Sequence, residues 1–130
     1  MNDDLPDLLD ELRGFVAALP YDIEHCVAFG SRVRGDHTRW SDFDVLLVSA
    51  DFAGMAFEAR IHAVMSHDAA WHSTCPLEII CLTPAELVGK LEYGGLVRGA
   101  WQQGRHALVG PVGAPRSSGP VPPPMEKQGG

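Results

Sequence analysis

The chain is short of cysteine, of basic residues and of long apolar runs, and each shortage excludes a class of protein. Its cysteines are Cys26, Cys75 and Cys81. An odd number without paired spacing does not build the disulfide framework of a small secreted domain. Ten Lys and Arg stand against 17 Asp and Glu, a net charge of −7. That balance excludes a broad basic surface that coats nucleic acid. No stretch approaches the ~18 consecutive apolar residues of a membrane span. Asp3, Asp4, Asp7, Asp10 and Glu11 precede the first base, Arg13, the reverse of the positive start of a signal peptide. The expected location is the cytoplasm.

The 130 residues are 45% hydrophobic and 21% charged, ordinary values for a folded domain. The last 21 residues hold six prolines and five glycines, a composition that resists regular structure. The expected organisation is one folded domain over residues 1–109 and a flexible Pro/Gly-rich tail over residues 110–130.

Leu5, Leu8, Leu9, Leu12, Phe15, Val16 and Leu19 recur at helical spacing, predicting an amphipathic helix over residues 4–19 that ends at Pro20. The apolar run 26–29 reads as a buried strand, with a short helix starting at Ser31. Residues 42–48 and 77–82 read as further strands. A looser helical pattern covers 54–70. Thr83-Pro84-Ala85-Glu86 is a capping box with proline at the first helical position, opening a helix to about Glu92. Residues 96–103 suggest a last helix and 106–109 a last strand. The alternation predicts an α/β (α+β) domain, a small mixed sheet flanked by helices.

The informative segment runs from Gly30-Ser31-Arg32-Val33-Arg34-Gly35 to Ser41-Asp42-Phe43-Asp44-Val45. Side chains alternate along a strand, so Asp42 and Asp44 share a face while Phe43, Val45 and Leu47 share the other. Two neighbouring carboxylates repel unless a cation sits between them. Mg²⁺ is commonly held by one or two carboxylates plus substrate phosphates. Gly30 permits close approach of an anion to the backbone. Ser31 offers a hydroxyl at a helix start, and Arg32 and Arg34 offer charge-assisted bonds to phosphate oxygens. Glu78 opens the third predicted strand on a face otherwise occupied by Ile80 and Leu82. Three carboxylates suffice to share two metal ions across a displacement at phosphorus. By contrast, His67, His72 and Cys75 match no common zinc spacing. Trp71 and Trp101 read as core or partner-facing anchors.

Gly-Ser-x-x-x-Gly followed by Ser-Asp-x-Asp and an apolar strand resembles the signature of the DNA polymerase β-like nucleotidyltransferases, most of all the small stand-alone minimal nucleotidyltransferases. The resemblance implies the polymerase β-like core fold and transfer of a nucleoside monophosphate to a hydroxyl with release of pyrophosphate. It implies ATP as donor and two Mg²⁺ ions. It gives Asp42, Asp44 and Glu78 the catalytic and metal-binding roles, and Gly30, Ser31, Arg32, Arg34 and Ser41 the nucleotide-binding ones. Glu78 stands where many relatives carry Asp. Many minimal members are antitoxins paired with a HEPN-domain toxin, and some transfer AMP to a tyrosine of that toxin. The resemblance therefore implies a HEPN partner, within a homo- or hetero-oligomer. The alternatives are a non-catalytic module that neutralises its partner by docking, a nucleotidyltransferase acting on a small molecule or RNA, and a metal-dependent phosphohydrolase.

Overall fold

The computed structural model describes residues 4–108; the expected tail lies outside them. The first helix, α1 (Leu5–Ala18), has Pro6 in its first turn and buries Leu8, Leu9, Leu12, Phe15 and Val16 on one face. Leu19 turns to extended backbone with ψ 145°, because a residue before proline is pushed out of the helical region. Next come β1 (His25–Phe29), the single-turn α2 (Ser31–Arg34) and β2 (Phe43–Val48). After β2 lie α3 (Phe57–Met65), β3 (Leu77–Leu82), α4 (Pro84–Tyr93), α5 (Leu96–Gln103) and β4 (Arg105–His106). Among the described residues no helix is long and apolar enough to cross a membrane.

The four strands form a mixed sheet in the order β3-β2-β1-β4. Strand β1 is antiparallel to β2 and β4, and β2 is parallel to β3. Strand alternation divides the core in two. Cys26, Ala28, Phe43, Val45, Leu47 and Ile79 pack against α1 and α3, and Val27, Phe29, Leu46, Val48 and Leu82 pack against α4 and α5. The sheet is thus covered on both faces, which explains why its strands read as nearly continuous apolar runs.

Two expectations need correction. The helix expected over residues 54–70 is confined to α3, with a 3-10 turn at Asp68–Ala70 after it; another 3-10 turn, Ala50–Phe52, precedes the segment. Gly54 has φ +84°, a conformation that ends any helical run. The last strand, expected over 106–109, covers Arg105–His106 among the described residues, with 107–108 outside it; residue 109 lies outside the described residues.

Arg60 on α3 is buried. It donates to Met55 O at 3.1 Å, to Cys81 O at 3.1 Å, and to both carboxylate oxygens of Glu86 at 2.6 and 3.0 Å. Glu86 also accepts from Thr83 N at 2.9 Å, so the capping box of α4 is locked to α3 through one carboxylate. The Arg60 guanidinium holds the Glu86 carboxyl below the usual carboxylate range. Trp71 stacks on Phe43, meets Phe15 edge-on, and donates to Cys75 O at 2.7 Å. It therefore anchors the segment leading into β3.

Candidate active site

Strand β1 ends in a bend at Gly30, with φ +84° and ψ −160°, a region essentially confined to glycine. The bend is occupied from the other side by an acid. A Cβ built at Gly30 overlaps Asp44 Oδ2 and lies 3.0 Å from Asp44 Cγ. The missing side chain of Gly30 is the space in which the Asp44 carboxylate rests. The register fixes the rest: Phe29 pairs with Asp44 across β1 and β2, and Asp44 pairs with Glu78 across β2 and β3.

Asp42 lies one residue before β2 and is exposed, as is Glu78, while Asp44 is half-buried. The Asp44 carboxyl is pushed up from its ordinary range, first by burial, then by the negative charges of Glu78 and Asp42; Arg34 draws it back down. The three acids therefore share one electrostatic field. They are not closed into a ready-made cage: among the described residues no group of three His, Cys, Asp or Glu is placed to hold a metal ion. Oxygen-only donors and a carboxyl strained by like charges nevertheless suit a hard divalent cation that takes its remaining ligands from phosphate and water.

A cavity of about 400 Å³ opens beside this acid, within the range of small-molecule sites. Gly30, Ser31, Arg34 and Asp44 line one side, and Leu96, Gly99 and Gln103 of α5 stand on the other. Asp42 and Glu78 lie outside its lining. Arg34 also pairs with Asp36 at 3.3 Å, both side chains well exposed. Such a surface pair contributes little and leaves the guanidinium available to a stronger anion.

The structure gives two of the expected nucleotide ligands another occupation. Arg32 is buried, and its guanidinium donates to the carbonyls of Ser41 at 3.0 and 3.1 Å and of Thr38 at 3.3 Å. Ser41 Oγ accepts from Thr38 N at 3.0 Å. A buried guanidinium demands acceptors, and the loop carbonyls supply them. Arg32 and Ser41 thus brace the loop that delivers Asp42, and neither lines the cavity.

Sequence reasoning placed a helix over residues 96–103 but missed that it walls the cavity. The available signal was the small-residue set Gly99, Ala100 and Gly104 on one side of the helix. Gly94 and Gly95, with φ +79° and +93°, let α5 turn back onto the sheet. Trp101 then docks between two histidines, its ring centroid 5.0 Å from that of His25 and 4.8 Å from that of His106, edge to face in both cases. The His25 Nε2 atom is buried without a hydrogen-bond partner among the described residues. Burial, reinforced by His106, lowers the His25 pKa.

A histidine with a lowered folded pKa takes up its proton later than the unfolded chain does. Its stability penalty is therefore absent above the ordinary value of about 6.5 and grows as pH falls toward the folded value. The expected result is that the melting temperature of His25→Phe falls less than that of the wild type between pH 7.5 and pH 5.5. Parallel pH profiles for the two proteins would show that His25 carries no such penalty.

An acidic strand end thus rests in a glycine bend beside a cavity, on a mixed sheet. The chain belongs to the nucleotidyltransferase domain family, whose model matches residues 9–92. No curated protein matches the chain significantly. Among solved structures, it is similar to a candidate nucleotidyltransferase from Sulfolobus solfataricus, with 25% identity, TM-score 0.46, and coverage of 64% of this chain and 69% of that one. It is also similar to a chain of a toxin–antitoxin complex crystallised with AMP-PNP, with 17% identity, TM-score 0.50, and coverage of 77% and 72%. The family and the mixed sheet with five helices agree with the fold expected from the Gly-Ser and Asp-x-Asp signature.

Proposed function

We propose that this protein transfers AMP from ATP to a hydroxyl of a protein partner, a tyrosine of a HEPN-domain toxin, and so acts as an antitoxin. The observation that carries the reading is the seat of Asp44 in the Gly30 bend, in lateral register with Glu78. Asp42 and Asp44 would hold Mg²⁺, with Glu78 completing the set. The metal, when bound, supplies positive charge to phosphate oxygens and to the attacking hydroxyl.

The chain's own residues do the rest. Ser31 and Arg34, on the cavity wall, take the β- and γ-phosphates. Gly30 lets those phosphates approach the backbone. Arg32 and Ser41 hold the loop that positions Asp42. Glu78, exposed beside Asp44, accepts the proton of the incoming hydroxyl. The small, open cavity leaves the acceptor side to a partner surface.

The test is to mix the full chain with ATP, Mg²⁺ and a HEPN-domain toxin, and to weigh the partner. A gain of one AMP mass or its multiples is the expected result. The competing reading, neutralisation by docking alone, draws on Trp40, Tyr93 and Leu96, which are 79%, 88% and 64% exposed. A stable complex with no mass change would favour docking and overturn transfer to this partner.

A further inference from the structure

We infer that the loop of residues 36–41 is the docking site for the acceptor protein, with Trp40 as its apolar anchor and Arg39 as the reader of a carboxylate beside the acceptor hydroxyl. The inference rests on the proposed transfer reading and deepens it by naming the surface that the acceptor meets. Trp40 is 79% exposed, yet the loop that carries it is held firmly. Trp40 N donates to Thr38 Oγ1 at 3.2 Å, Thr38 N to Ser41 Oγ at 3.0 Å, and Ser41 N to Thr38 O at 3.1 Å. The buried Arg32 guanidinium donates to the carbonyls of Thr38, Arg39 and Ser41. A loop ordered before its partner arrives lowers the entropic cost of binding.

The loop stands on the open side of the acids. The cavity lies on the β1 side of Asp44, and neither Trp40 nor Arg39 lines it. Cys75 Sγ donates to Ser41 O at 3.6 Å, and Phe43 N donates to Pro76 O at 2.8 Å. The loop therefore closes against the entry to β3, two residues before Glu78. Strand β3 flanks β2 on the side away from β1. A nucleotide in the cavity and a partner on the loop thus approach Asp44 from opposite flanks, and Asp42 follows Trp40 by two residues.

Arg39 identifies the partner's chemistry. Its guanidinium carbon lies 4.9 Å from the Trp40 ring centroid, and it has no acidic partner among the described residues. A stacked guanidinium keeps its donor edge for a carboxylate. Trp and Arg are enriched among the anchors of protein–protein interfaces. RNA fits less well, because tracking a phosphate backbone takes several cations. Here Arg32 is buried and Arg34 lines the cavity, in a chain of net charge −7. The occupant is a protein surface with an apolar pocket for the indole and a carboxylate near its acceptor hydroxyl.

The experiment measures label transfer from α-labelled ATP, with Mg²⁺, to a HEPN-domain toxin by the full-length wild type, Trp40→Ala and Arg39→Gln. Matching melting temperatures establish that the variants fold. Truncating an aromatic anchor costs about 30-fold in affinity. Trp40→Ala is expected to raise KM for the toxin about 30-fold and to leave kcat and KM for ATP within about twofold. Arg39→Gln is expected to raise toxin KM about fivefold and to flatten its rise with salt. An unchanged toxin KM in Trp40→Ala overturns the inference. A raised KM for ATP overturns it too, because Trp40 would then be a stacking surface for the nucleotide. Labelling of an oligoadenylate in place of the toxin, lost in Trp40→Ala, overturns the assignment to a protein. A toxin that binds the wild type unlabelled, and binds Trp40→Ala about 30-fold more weakly, overturns the transfer reading and leaves the docking site standing. A toxin neither bound nor labelled overturns both.

Discussion

Asp42→Asn combined with Asp44→Asn lowers transfer of label from α-labelled ATP by about 10³-fold or more, while the folded state is kept. A 10³-fold loss corresponds to about 4 kcal/mol of transition-state stabilisation, the scale expected when a metal-binding site at a reacting phosphate is dismantled. The retained fold follows from the charges. Asp44 is crowded by Glu78 and Asp42, so neutralising two of the three acids relieves repulsion instead of breaking an ion pair. Unchanged circular dichroism with a melting temperature at or above that of the wild type is therefore expected alongside the lost activity. Full transfer by the double variant would remove these acids from the chemistry.

Gly30→Ala carries the second large effect, and it separates stability from activity. The backbone at φ +84° and ψ −160° costs a non-glycine residue about 1–3 kcal/mol, which lowers the melting temperature. The added methyl also takes the space of Asp44 Oδ2. A carboxylate can rotate aside, so the fold survives, but the acid then leaves its seat. The expected outcome is a folded, moderately destabilised protein with transfer reduced about 100-fold, since small misplacements of reacting groups cost that much. Gly54→Ala is the control. Its φ is also +84° but nothing lies within 4 Å of its Cβ position, so it loses stability and keeps its turnover. Equal turnover in Gly30→Ala and Gly54→Ala would show that the seat of Asp44 is unimportant.

Much of the fold was legible because its signals are local. The spacing of Leu8, Leu12 and Phe15, the proline after Leu19 and the capping box at Thr83 and Glu86 each act within a few residues, and each element stands within a residue or two of its expected bounds. The expected helix over residues 54–70 is shortened to α3 at its start by the Gly54 turn, and what its pattern hid is non-local. Arg60 is drawn into the core by Cys81 O and Glu86, more than 20 residues away, and nothing near Arg60 in sequence announces a buried cation. The surroundings of Arg32 were hidden in the same way. Its neighbourhood suggests a phosphate ligand, and only the folding back of residues 38–41 shows where its donors go.

By itself the sequence determined the glycine bend, the acid pair beside it and the alternation that buries one side of β2, because backbone sterics and period-2 geometry operate within a short window. Tertiary structure alone decided that Glu78 falls level with Asp44, that Arg32 turns inward, and that α5 closes the far side of the cavity. Those outcomes depend on strand register and helix packing, which are set by apolar surfaces meeting across the whole chain, and no local pattern encodes them.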